Sequence, residues 1–271
     1  ECANNLKELG QATKQLELNR DALCGYANRV PGYQTAAGVG YEAGWPVMIL
    51  AGIGREDVWE QFRTGASSNV RIATFICPSD SEASPDGPVL SYVGNCGQED
   101  AGLGTPPAIP PDWSANGALF RHYTETGNNF VKVTVTTDKM KDGAAHTFLL
   151  SERLSDTASV SWNASPVVEN LFGFLWRQGV TDTDCRGSAG IAINATPPLG
   201  VPKTDLPSSY HPGGVNVLYC DGHVDFLDEN VEYRIYALQM TPDGGDVWAP
   251  GVARSDSAGQ PPAWCRDRLG E

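Results

Sequence analysis

His211, Asp221 and His223 fall within a stretch of thirteen residues and are the side chains best equipped here to grip a transition metal. Two imidazoles and a carboxylate are a familiar zinc donor set, and an ion held by them would support a metal-dependent hydrolase. Asp182-Thr183-Asp184 and Asp243-Gly244-Gly245-Asp246 are oxygen-rich turns, and Asp182 with Asp184 form the calcium candidate. Neither turn has the twelve-residue calcium-loop pattern, and the competing account is an Asx-turn in which the carboxylate accepts from its own backbone. Nucleophilic chemistry finds less support. The chain has no Gly-x-Ser-x-Gly elbow, no His-Glu-x-x-His helix and no glycine-rich phosphate loop before a helix. Ser208 and Ser209 precede His211, but neighbours in an extended segment point to alternating faces. The expectation is a protein without catalytic residues.

The elements that carry these residues weaken the metal reading further. Val215, Val217 and Tyr219 alternate with Asn216, Leu218 and Cys220, and the pattern resumes at Val224 and Phe226, which predicts a β-hairpin. Asp221-Gly222 is expected to supply the two positive-φ positions of a type I′ turn. His211 then stands at the entry of the hairpin while Asp221 and His223 stand at its turn. About ten extended residues separate the two ends, or roughly 30 Å. His211-Pro212-Gly213-Gly214 reads better as a tight entry, its imidazole bonding to backbone, with Asp221-Gly222 as the exit.

The same hairpin, with His211, nine intervening residues and Asp221-Gly222, resembles the terminal signature of a prepilin-type family of bacterial surface proteins abundant in planctomycetes. Other segments resemble that family in the same order. They are Cys2-Ala3-Asn4-Asn5-Leu6-Lys7-Glu8-Leu9-Gly10, Phe75-Ile76-Cys77-Pro78-Ser79-Asp80, Ser91-Tyr92-Val93-Gly94-Asn95, the run from Lys141 to Arg153, and Ala237-Leu238 with Gly244-Gly245-Asp246-Val247. The resemblance implies a pilin-like fold, and it implies a hydrophobic helix upstream of Glu1, through which any membrane contact would run.

Composition is compatible with that expectation. A net charge of −14 argues against phosphate backbones and anionic membranes as partners, so no nucleic acid is expected. Seven cysteines without a Cys-x-x-Cys pair favour disulfides and an oxidising compartment outside the cell. Spacing alone leaves roughly a hundred three-bridge frameworks open. Cys77 with Cys96 would close a modest loop between two predicted strands, and Cys2 with Cys24 would pin the first helix to the segment after it. No stretch approaches the roughly 20 apolar residues of a membrane span.

Along the chain, Ala3, Leu6, Leu9, Thr13 and Leu16 recur at helical spacing, with Lys7, Glu8, Gln11, Lys14 and Glu17 between them. The predicted division is a distal helix segment over residues 1–20, a β-rich head over 21–247 and a tail over 248–271. A short helix is predicted from Arg55 to Arg63. Strands are predicted at Ile72–Cys77, Leu90–Gly94, Ala118–Arg121, Phe130–Thr136, Thr147–Ser151 and Phe172–Trp176. Val131, Val133 and Val135 alternate with Lys132, Thr134 and Thr136, the signature of an antiparallel sheet with one face toward solvent. Thirty glycines and nineteen prolines imply long loops. The fold class is α+β, with the N-terminal helix packed on an antiparallel sheet.

From these observations the expected function is a non-enzymatic, exported pilin- or pseudopilin-like surface subunit. It would self-associate into a filament or envelope layer through the helix bearing Leu6, Leu9 and Leu16. The alternative is a monomeric extracellular module that binds a glycan or another surface ligand on exposed aromatics such as Trp45, Trp113, Trp162 and Trp248, with the metal-dependent hydrolase behind it. No cofactor is required by the sequence, and calcium is the candidate ion.

Overall fold

The periodic stripe at the amino end forms helix α1, Cys2–Arg20, which ends where Asp21 turns into the left-handed region at φ 55°. The computed structural model describes residues 1–34, 40–81, 83–101, 109–122, 133–154, 161–165, 167–176, 193–194 and 206–260. Leu6, Leu9, Ala12 and Thr13 are buried on one side of α1, while Asn4, Lys7, Glu8, Gln11 and Gln15 face water. The spacing of polar and apolar residues thus decides which side of the helix meets the protein.

That side meets a five-stranded sheet of order β5-β3-β4-β6-β7, comprising β3 Tyr92–Asn95, β4 Phe148–Glu152, β5 Gly173–Phe174, β6 Gly214–Tyr219 and β7 Val224–Asp228. All neighbours are antiparallel except β3 and β5. A separate ribbon, β1 Ala27–Gln34 with β2 Gly40–Gly44, leads into the short helix α2, Trp45–Met48, and then α3, Glu56–Arg63. The fold is mixed α and β with one helix at the amino end. Among the predicted strands, Thr147–Ser151 and Leu90–Gly94 are matched within a residue or two. Ile72–Cys77 instead contains a single 3₁₀ turn at Ala73–Phe75, and Ala118–Arg121 makes only an isolated bridge to Ala27. Phe172–Trp176 divides between the end of α4, Glu169–Phe172, and β5. The described end of Phe130–Thr136 is not strand, although Val133 and Val135 are buried.

The expected solvent-facing side of the sheet is corrected by the burial pattern. Every residue of β3 and β4 is buried, and β6 is buried at all but Asn216. On one face α1, Trp45, Phe62, Phe75 and Trp162 pack with Leu150 and Leu218. On the other, helix α5, Tyr233–Met240, covers Phe148, Val215, Val217 and Tyr219 with Tyr233, Tyr236 and Met240. Only the edge strand β7 keeps a wet face. The alternation in β6 therefore sorts residues between two cores, both dry, rather than between core and water.

Candidate functional site

Four side chains from four distant parts of the chain meet where α1 begins. Cys2 is the first residue of α1, Cys77 follows the 3₁₀ turn, Glu152 ends β4, and His211 enters β6. Cys2 and Cys77 are joined as a disulfide with their Cα atoms 4.8 Å apart. His211 Nε2 lies 3.1 Å from Glu152 Oε1 and 3.6 Å from Cys77 Sγ, and Glu152 Oε1 lies 3.5 Å from the same sulfur. One donor atom from each of the four falls within 4.8 Å of all the others.

The surroundings fix each group. Asn5 on α1 donates from Nδ2 to Ile76 O at 2.9 Å, which brings the first helical turn alongside Cys77. Asn216 donates its backbone N–H to Glu152 Oε2 at 2.8 Å and its Nδ2 to Oε1 at 3.0 Å, so the carboxylate of β4 is oriented by the neighbouring strand β6. Ser209 accepts the N–H of His211 at 3.0 Å and donates to Gly214 O at 2.7 Å. Gly214 has no alternative residue there, because a Cβ would lie 2.0 Å from Leu227 O across the hairpin. Cys2, Cys77 and Glu152 are buried, whereas the His211 side chain is 23% exposed and forms the open side of the cluster. Tyr92 closes the floor with its hydroxyl 3.3 Å from Cys2 O, and burial, followed by the nearby Glu152, raises its pKa.

Both expected disulfides are corrected by this pairing. A helix of 19 residues is about 28 Å long, so Cys24, beyond its far end, is out of reach of Cys2. Cys96 follows β3 to the other end of that strand and packs its sulfur against Gly173. Among the described residues Cys24, Cys96 and Cys220 are free and buried. Burial pushes the Cys24 thiol up to about 12 and raises Cys96 and Cys220 as well, which favours the protonated thiol over the thiolate at all three.

The histidine-aspartate constellation does not assemble. His211 lies at the start of β6 and Asp221 with His223 beyond its end, roughly 20 Å of strand away. His223 Nδ1 sits 2.6 Å from Asp221 Oδ1, and its ring stacks on Tyr219 at 4.1 Å. The turn itself differs from the expected type I′. Only Gly222 has positive φ, at 98°, and Gly222 N–H donates to Tyr219 O at 2.9 Å. Cys220 and Asp221 instead donate backbone N–H groups to Thr147 O and Ala144 O, so contact with the loop before β4 selects a longer turn. Nor does His211 bond to backbone through its ring, as expected; the ring faces Glu152 and the disulfide.

Asp182 and Asp184 lie outside the described residues. Asp243 and Asp246 are engaged by Lys141 at 2.7 Å and Arg254 at 3.0 Å. Leu6 and Leu9 are fully buried and Leu16 partly so. Trp45 and Trp162 are buried too, their indole N–H groups donating to Phe172 O and Val70 O. Trp113 and Trp248 remain partly exposed, but Arg254 lies over both rings, at 4.4 and 5.3 Å. The part of the predicted tail that is described packs on the head, since Trp248 exchanges hydrogen bonds with Asn116.

Sequence reasoning misses Glu152 and pairs the two cysteines with other partners. The available signal was that Cys2, Cys77, Glu152 and His211 each sit in a different one of the segments that carry the resemblance. Chemically, the cluster offers two sulfurs, an imidazole nitrogen and a carboxylate oxygen. It is a covalent tie between α1 and the segment that follows the 3₁₀ turn, with an imidazole and a carboxylate set against it. No curated protein and no solved structure matches the chain. A family described as SBP_bac_10, protein of unknown function (DUF1559), matches residues 1–234, a stretch holding all four residues of the centre, and the chain belongs to that family.

Proposed function

We propose that this chain is the globular part of an exported, non-enzymatic, pilin-like surface subunit that associates with other copies through α1. One observation carries the proposal: α1 lies along a β-sheet with its apolar stripe buried, its first residue covalently tied to the head, and its outer face open. Leu18, 74% exposed, adds an apolar contact point to that open face. A disulfide that includes the first helical residue suits an extracellular, oxidising setting, and fixes the helix as a handle by which the head can be held. The two buried tryptophans Trp45 and Trp162 favour this over a glycan platform.

The test is imaging of surface-sheared material from cells producing the natural gene product, with antibody raised to this chain. Labelled filaments or an ordered layer are expected. Recovery of the chain only as dispersed monomers, with no labelled assembly on cells, would overturn the proposal.

A further inference from the structure

We propose that Cys2, Cys77, Glu152 and His211 form a two-state centre, a disulfide when oxidised and a tetrahedral site for a zinc-class divalent ion in the dithiol form. The inference does not depend on self-association.

Geometry carries it. Around a tetrahedral zinc ion with Cys, His and carboxylate ligands, neighbouring donor atoms stand about 3.3–3.8 Å apart. Three of the edges here are already close to that: 3.6 Å from Cys77 Sγ to His211 Nε2, 3.5 Å from the same sulfur to Glu152 Oε1, and 3.1 Å from nitrogen to oxygen. Breaking the covalent bond and seating the sulfurs as separate ligands moves them apart by only about 1.7 Å. Cys77 and Glu152 are fixed by the fold, and Asn216 supplies the second shell that orients a ligating carboxylate. The partly exposed His211 provides the entry path.

The chemistry balances with an external dithiol. Its two thiols transfer two electrons and two protons to the Cys2–Cys77 bond, becoming a disulfide themselves and leaving two thiols on the protein. The incoming ion displaces both thiol protons and binds two thiolates, the imidazole nitrogen and the carboxylate. In both states α1 stays tied to the head, by a covalent bond in one and by an ion in the other. Among the described residues Cys24, Cys96 and Cys220 are buried, and none of them joins a group of three or more metal-ligating side chains.

The experiment is titration of the full chain with Co²⁺ after reduction by a phosphine, chosen because a dithiol would compete for the ion. One Co²⁺ per chain is expected, with the visible bands of tetrahedral cobalt and a thiolate charge-transfer band, all abolished by Zn²⁺. The unreduced protein should show none of these. Cys2→Ser/Cys77→Ser, which keeps every other cysteine, should lose the charge-transfer band, and His211→Ala and Glu152→Gln should each weaken binding at least about tenfold. No band in the reduced protein, an unchanged band in the double variant, or unchanged affinity in both single variants overturns the proposal. Should reduction loosen the fold, recovery of the near-ultraviolet circular dichroism on adding Zn²⁺ supports the site, and failure to recover counts against it.

Discussion

Glu17 and Thr137 join the last turns of α1 to the loop before β4: the Glu17 carboxylate accepts the Thr137 backbone N–H at 2.7 Å and its hydroxyl at 3.1 Å. Lys14 lies 2.9 Å from the same carboxylate and donates to the Thr137 hydroxyl, so three groups share one buried acceptor. Hydrogen bonds to a charged group contribute about 1.5–3 kcal/mol, and removing the acceptor strands a buried N–H. Glu17→Ala is expected to lower stability by about 2–3 kcal/mol in denaturant unfolding, and Glu17→Gln by less, because an amide oxygen still accepts. Equal losses in the two variants would contradict this arrangement.

The Cys2–Cys77 bond closes a loop with a sequence separation of 75 residues. Closure of a loop of that size is worth about 4 kcal/mol through the entropy of the unfolded chain. Cys2→Ser/Cys77→Ser should therefore show a lower denaturation midpoint than the oxidised parent. Added reductant in metal-free buffer should erase most of the parent's advantage over this variant.

A cluster of buried carboxyl groups sets an unusual pH dependence. Burial raises Asp100 to about 6, against the opposing pull of the Tyr26 hydroxyl and Arg121. Glu169 and Asp112 are raised by burial too, and each is raised further by nearby carboxylates, Asp100 among them. A carboxyl whose folded pKa exceeds its unfolded value binds its proton more tightly in the native state. Its contribution is full below the unfolded pKa, near 4, and is lost as pH rises through about 6. The exposed carboxylates whose pKa is lowered, Asp57, Asp138 and Asp228, act in the opposite sense and below that window. The melting temperature is expected to be higher near pH 5 than near pH 8, and Asp100→Asn should flatten the slope. A parent that gains stability across that interval would refute the assignment.

Two glycines of the hairpin should fail differently. At Gly214 an added methyl meets the Leu227 carbonyl, a backbone atom that cannot move without breaking the β6–β7 ladder. At Gly222 nothing lies within 4 Å, and the cost is only that of positive φ. Gly214→Ala should cost about 3 kcal/mol or more, Gly222→Ala about 1–2 kcal/mol, in thermal unfolding of the two variants.

Local patterns were legible in the sequence and long-range meetings were not. The α1 stripe, the short helix near Arg55 and the hairpin around Asp221-Gly222 depend on neighbours within a few residues, and all three form. The β1–β2 ribbon escaped notice because Pro31 and Gly32 interrupt its alternation. The strand expected at Ile72–Cys77 contains a 3₁₀ turn because Phe75 is drawn between Trp45 and Trp162, partners about thirty residues before it and nearly ninety after it. The same limit hid the centre. Glu152 is 75 residues from Cys77 and 59 from His211, and the resemblance that marks their segments does not say that the segments meet.

The covalent tie at the base of α1 also determines how the molecule bears load. Tension applied at Glu1 enters through Cys2 and crosses directly to Cys77, bypassing the intervening residues. Those residues, including the whole β1–β2 ribbon, α2 and α3, stay slack while later strands carry the pull. Stretched to full length, the oxidised chain should end about 270 Å shorter than the reduced one, a length hidden behind a single bond.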